Sequence, residues 1–408
     1  MKITDIKIYV TCPKRNFVLL KIMTDAGIYG VGDATLNGRE LAVYTLLKEH
    51  LGPWLIGKDP DQIEDIWQSI FRGTYWRGGP VTMTALAGLN MALWDIKGKR
   101  AGLPVYSLLG GKSRTKVKTY LHVHGNSPEK ILERCYKRME MGCEVVRVSF
   151  DFTNYKGIKI TQPHQDIETG KRIEVDQETV VGDYQVWDSE SYLYYVPRLF
   201  KYLREKLGDN IWFIHDVHGR LAPIQAAMLA KNLESYGFYF LEDPVRPKHK
   251  NSLYLIRQHS SIPIGMGELF FDKWECLDVL QKQLVDYIRV DICHCGGISE
   301  VKKIAAIAEC FNIKVALHGP SDCSPIAHAA NVHMDYAIPN FGIQEFVFHD
   351  DLTYQIIHGS PQFKDGYLYV SDEPGLGVDF DENKAMEFPY KHQYIPILRD
   401  LEGGLHDW

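Results

Sequence analysis

"IWFIHD" (211–216), "GFYFLE" (237–242) and "IPIGMGE" (262–268) decide how the rest of the chain reads. Each is a short apolar run closed by a carboxylate, and the three acids, Asp216, Glu242 and Glu268, are evenly spaced. Between them run segments such as "APIQAAMLAKNLESYG" (222–237), with Ala, Leu and Met recurring at helical intervals. A strand, a return helix and two loops take roughly 25–30 residues, so each acid falls at the carboxyl end of a successive parallel strand. In a (β/α) barrel that face carries the chemistry. Three carboxylates converging on one rim repel each other unless a cation lies between them. Oxygen-only donors favour a hard ion, so the reading is Mg²⁺. Helix capping, or pairing with Lys and Arg, explains any one such acid. It does not explain three at equal intervals.

The rhythm continues. "DYIRVD" ends at Asp291, "IKVALHG" reaches His318 and "FGIQEF" carries Glu345. Upstream, "VKTYLHVHG" (117–125) reads as the first barrel strand, with His122 or His124 near its end. "EVVRVSF" (144–150) reads as the second, with Arg147 near its end. The chain is therefore expected to form an α/β protein built on a TIM-type barrel.

A barrel takes about 250 residues, and this chain has 408, of which 45% are hydrophobic. The remainder belongs elsewhere. Residues 2–36 alternate apolar and polar positions around a turn at Asp25-Ala26-Gly27, as an antiparallel meander does. Helical patterning follows from Gly38 to about Gly111. Strands followed by helices indicate an α+β unit over 1–115, ahead of a barrel over 116–352. Residues 353–408, rich in Pro and Gly, are expected to fold back on the first unit. "TLNGRE" (35–40) and "GTYWRGGP" (73–80) read either as turns or as functional loops. The stretch from about 150 to 191 has little periodicity, and a loop of that length on the catalytic face reads as a lid.

A net charge of −6 offers no footprint for nucleic acid or an anionic membrane. No apolar run approaches the roughly 20 residues of a membrane span, and "MKITDIKIYV" lacks the plan of a signal peptide. The eight cysteines include no CxxC pair. "CHC" (293–295) would alternate its side chains across a strand end, which disfavours zinc there. Reduced cysteines in a cytoplasmic protein are expected.

The order Asp, Glu, Glu on strands three to five, then His on strand seven, resembles the enolase superfamily. More closely, "DATLNGRELAV", "YWRGGPVTMTALAGLNMALWDIKGK", "DVHGR", "YFLEDP", "LHGPSDCSP" and "IPNFGIQEF" resemble its mannonate dehydratase subgroup. The resemblance implies a modified (β/α)7β barrel under an N-terminal α+β capping domain, a Mg²⁺ cofactor and a homo-oligomer. It implies dehydration of a small-molecule sugar acid, D-mannonate, to 2-keto-3-deoxy-D-gluconate. Asp216, Glu242 and Glu268 match its metal ligands, and His218 its acid/base histidine. In a continuing strand His218 would share the face of Asp216. Asn37, His122, Arg289, His318, Asp322 and Glu345 match substrate contacts. Arg147 matches the arginine that assists a tyrosine base, for which Tyr155 is the first candidate and Tyr184 the second. The run "SFDFTNYKG" (149–157) stands where the family has a short polar, Gly-rich segment.

The chemistry calls for such a set. A proton alpha to a carboxylate is weakly acidic, and its loss leaves a dianion that Mg²⁺ stabilises. A base removes that proton, and an acid such as an imidazolium protonates the departing hydroxide. A nearby cation lowers a tyrosine toward a useful pKa. D-Gluconate differs from D-mannonate in one hydroxyl configuration and is an alternative substrate. A metal- and ligand-binding regulator without turnover is an alternative of another class. A phosphate-binding aldolase is disfavoured, because the chain lacks a strand-end lysine and a glycine-rich phosphate loop.

Overall fold

The computed structural model describes residues 1–150, 184–393, 397–400, 402 and 404–407. The meander forms as expected: β1 (Ile3–Thr11), β2 (Phe17–Thr24) and β3 (Tyr29–Asp33) pair antiparallel in that order. Its partner is the helix Pro80–Ala101, which starts with Pro in its first turn and stops at Gly102 in the left-handed region. That helix is buried over most of its length because it packs on the meander and also touches the barrel. The approach to β3 is close: a Cβ at Gly30 or Gly32 would stand 2.0 Å from the carbonyl oxygen of Ala92 or Gly88. On the barrel side Asn90 donates to Ser299 Oγ (2.9 Å) and accepts from the Ser299 amide (3.0 Å). Two polar residues thus pin cap to barrel.

The barrel strands are β4 (Val117–Gly125), β5 (Val145–Phe150), β7 (Trp212–Asp216), β8 (Phe238–Glu242), β9 (Ile264–Met266), β10 (Tyr287–Ile288), β11 (Lys314–Val315) and β12 (Gln344–Phe346), with the short β6 (Tyr184–Val186) lying outside the barrel. They pair parallel in chain order, and β12 returns to β4. Between β11 and β12 closure rests on a parallel bridge from Val315 to Phe341, with Gly342 N–H donating to Val315 O (2.7 Å). A helix connects each barrel strand to the next, from Pro128–Glu140 after β4 to Pro325–Ala337 after β11. This is the modified (β/α)7β barrel with its α+β cap. Tyr120, Val145, Ile214, Phe240, Ala316 and Ile343 fill the interior as a separate apolar cluster.

Acids do cap helices here, but not the three acids at the strand ends. Asp188, Asp272 and Asp350 each accept backbone N–H groups at the start of the helix that follows. Asp272, not Glu268, serves the helix after β9.

The C-terminal residues do not all fold back on the first unit: Gln362–Lys364 and Tyr367–Tyr369 form a hairpin whose second strand pairs antiparallel with β4 of the barrel, and the rest goes to two other places. Phe388 O accepts from the Cys12 amide (2.7 Å), and Lys21 of β2 reaches Asp379 (3.0 Å), so this part lies on the cap. The strand Ile397–Arg399 goes elsewhere and pairs parallel with β6. A pairing of so few residues, so far apart in the chain, leaves no pattern in the sequence.

Candidate active site

Strand register brings the acids together. Asp216 and Glu242 are direct neighbours across β7 and β8, and Glu268 follows β9 by two residues. One oxygen from each lies within 4.8 Å of the others. Asp216 and Glu242 are buried, and Glu268 is partly exposed. Burial opposes ionisation of Asp216, but contact with Arg147 and His218 holds it well below the carboxylate range. Glu242 goes the other way. Burial pushes it up to about 8, against the pull of Arg289, with Asp216 adding to the rise. Its Oε2 accepts no hydrogen bond among the described residues, and Arg147 Nε is 3.6 Å away. A buried carboxylate oxygen without a donor, beside two further carboxylates, fits a bound cation. All three donors are oxygen, which suits Mg²⁺.

Two buried guanidiniums hold this cluster in place. Arg147 on β5 pairs with Asp216 and reaches Glu345 Oε1 (3.4 Å) and His218 Nε2 (3.1 Å). Arg289, past the end of β10, pairs with Glu242, donates to Glu345 Oε2 (2.9 Å) and to Ala316 O (3.2 Å). Its guanidinium lies near the rings of Phe240 and Tyr120, 5.4 and 6.0 Å from their centroids. Glu345 on β12 thus joins both arginines, and it also takes His122 Nε2 at 2.7 Å.

His218 meets Asp216, with Nε2 2.6 Å from Oδ2, but not by strand alternation. β7 ends at Asp216, and His218 sits in the left-handed region at φ 54°. Its amide donates to Asp216 Oδ1 (2.7 Å), so a tight turn folds the imidazole back over the carboxylate. The two residues are together as the sequence suggests, for a different geometric reason.

His318 lies across the site, with Nε2 3.3 Å from Glu268 Oε2 and 3.9 Å from Glu345 Oε2. Its Nδ1 is 2.7 Å from Asp291 Oδ2. In the sequence Asp291 is only another acid at a strand end, and this contact gives it a task. Asn37 and Asp322 touch each other (3.3 Å) where cap meets barrel, and Asp322 also pairs with Arg15, which the sequence does not single out. Asp243 escapes sequence reasoning too. It is buried beside the cluster at φ 36°, and burial together with Glu268 raises its carboxyl well above the usual range. The signal is there in "LEDP", where a second acid follows the ligand. Tyr155 and most of the expected lid lie outside the described residues, as does the side chain of Tyr184.

Comparison with known proteins identifies the family. Residues 6–110 match the mandelate racemase/muconate lactonizing enzyme N-terminal domain, and residues 192–384 the enolase C-terminal domain-like family. A D-mannonate dehydratase of Caulobacter vibrioides is 46% identical over the full length of both chains. A D-galactonate dehydratase family member of Cellvibrio japonicus is 45% identical, also over both full lengths. The crystal structure of a Pantoea ananatis enolase with bound D-gluconate and Mg superposes with a TM-score of 0.90 at 40% identity, covering 99% of each chain. The chain belongs to the enolase superfamily.

Proposed function

We propose that this enzyme dehydrates D-mannonate to 2-keto-3-deoxy-D-gluconate and water, by removal of the α-proton and loss of the neighbouring hydroxyl. The class of enzyme, a sugar-acid dehydratase, rests on its full-length relatives. The observation that carries the reading is the meeting of Asp216, Glu242 and Glu268 with Arg147 and His218 at one rim. The three acids would hold Mg²⁺, which when bound supplies positive charge to the substrate carboxylate as the α-proton leaves.

The remaining steps belong to side chains. Arg147 on β5 is assigned to stabilise a phenolate, and Tyr155, five residues after β5 in the sequence, is assigned as the base. His218 is assigned as the acid that delivers a proton to the departing hydroxyl oxygen. Its hydrogen bonds to Asp216 and proximity to Arg147 fix the ring over the metal ligands. His122, Arg289, His318 and Glu345 form the wall against which the polyol chain is oriented, with Asn37 and Asp322 at the cap side. D-Gluconate is the second candidate substrate, supported by the ligand of the Pantoea structure.

The two proton transfers can be separated in D₂O. His218→Gln should still exchange the α-proton of the substrate while forming little keto-deoxy acid. Tyr155→Phe should lose both exchange and product. Product formation by His218→Gln at the wild-type rate would remove His218 from the acid role, and undiminished exchange in Tyr155→Phe would move the base elsewhere.

A further inference from the structure

Beside the rim lies a second group of donors that the dehydration does not use as such. Asp291, His294 and Cys323 each offer one ligand atom, and those atoms lie within 4.8 Å of one another. The stretch 292–296 is a turn rather than a strand end, yet Cys293 and Cys295 are buried and His294 is partly exposed, so the side chains of "CHC" separate as expected. His294 therefore does not join its sequence neighbours Cys293 and Cys295. It joins Cys323, a residue from the loop ahead of the helix Pro325–Ala337.

The three donors are arranged as ligands are. Thr84 of the cap is 3.0 Å from His294 Nδ1, which leaves Nε2 toward Asp291 Oδ2 at 3.9 Å. That distance is too long for a hydrogen bond, and a hydrogen bond on one ring nitrogen, here with Thr84, orients the other as a metal-bound histidine requires. The Cys323 thiol donates to the two Asp291 oxygens, with Sγ 3.4 and 3.7 Å away, and a metal would displace that proton. A further buried acid, Asp33, accepts from the amide of Ser324, next to Cys323, and adds negative charge behind the thiol. Asp291 and Cys323 are buried, and His294 is partly exposed.

We propose that Asp291, His294 and Cys323 form a second cation site, selective for a borderline-soft ion such as Zn²⁺, whose occupation takes Asp291 away from His318. Sulfur and nitrogen donors separate it from the all-oxygen cluster of Asp216, Glu242 and Glu268. Three protein ligands plus water is a number Zn²⁺ accepts. Because Asp291 Oδ2 also holds His318 Nδ1 (2.7 Å), filling this site reaches the rim directly. The consequence for turnover rests on the dehydratase reading. The site itself does not.

The test uses the full chain saturated with Mg²⁺ and carrying Cys310→Ser, since Cys310 is the exposed cysteine among the described residues. Co²⁺ is the probe, because Co²⁺ on a thiolate absorbs in the near ultraviolet and Co²⁺ on oxygen ligands alone does not. A single saturable thiolate band is expected, lost in Cys323→Ser and weakened about ten-fold or more in affinity in His294→Ala, which keeps the thiol. No band under Mg²⁺ saturation, or a band that survives Cys323→Ser, overturns the site. In a parallel assay Zn²⁺ should stop D-mannonate turnover, added Mg²⁺ should not restore it, and His294→Ala should need about ten-fold more Zn²⁺. A full thiolate band with turnover untouched by Zn²⁺ overturns the link to His318. An enzyme with the band but inactive on sugar acids overturns the substrate reading and leaves the site standing.

Discussion

His122 and His318 flank the same carboxylate, Glu345, and are driven in opposite directions. Burial lowers both. At His122 the Arg147 guanidinium adds to burial, and the imidazole falls to about 4. At His318 the carboxylates of Glu268, Glu345 and Asp291 overcome burial and raise it to about 10. One side of the site therefore offers a neutral ring and the other a cation. Residue type alone says nothing of this. The neighbours decide.

The comparison breaks most severely if the shared carboxylate loses its anchor. Arg289→Met leaves Glu242 and Glu345 buried with Arg147, already paired with Asp216, as the guanidinium they share. A loss of about 3–5 kcal/mol of stability is expected, read by denaturant or thermal unfolding of the metal-free protein. Glu242→Gln tests the cation instead. It should abolish tight Mg²⁺ binding by calorimetry and lower kcat/KM on the sugar acid roughly a hundred- to thousand-fold. Next come the two histidines themselves. His318→Gln should cost about a hundred-fold in kcat/KM and His122→Gln about ten-fold, because only the first removes a charge. Equal losses would mean that the charge difference does not matter to turnover.

The smallest effect sharpens the comparison rather than breaking it. In the metal-free protein, NMR titration should show His122 neutral and His318 charged across neutral pH. The sign for stability follows from each shift. His318 is raised, so its contribution is full below the ordinary histidine pKa and is lost as pH climbs toward about 10. His122 is lowered, so folding loses stability as pH falls from the ordinary value toward about 4. Mg²⁺ should draw His318 downward by neutralising Glu268. A titration unmoved by Mg²⁺ would separate His318 from the metal cluster.

Much of this arrangement is legible in the sequence. Acids at even spacing place Asp216, Glu242 and Glu268 on one rim because the β/α repeat is periodic and the rim gathers its ends. The meander is legible because its alternation and its turn at Gly27 are local. What stays hidden depends on turns and on long-range contacts. Strand alternation would put His218 beside Asp216, whereas a left-handed backbone is what brings it back. Asp291 shows its place in the rhythm but not its bond to His318, since β10 and β11 are each two residues long and the two residues meet beyond them. The pairing of Cys323 with His294 crosses two loops and has no spacing rule. The join of β6 to Ile397–Arg399 is of the same kind.

The most direct test of the central claim is turnover of D-mannonate and D-gluconate by the wild-type chain, with Mg²⁺ and after chelation, read as keto-deoxy acid formed. The expected result is Mg²⁺-dependent formation of 2-keto-3-deoxy-D-gluconate, faster from D-mannonate, and none after chelation. Formation of no keto-deoxy acid from either substrate, or formation unaffected by chelation, would contradict it.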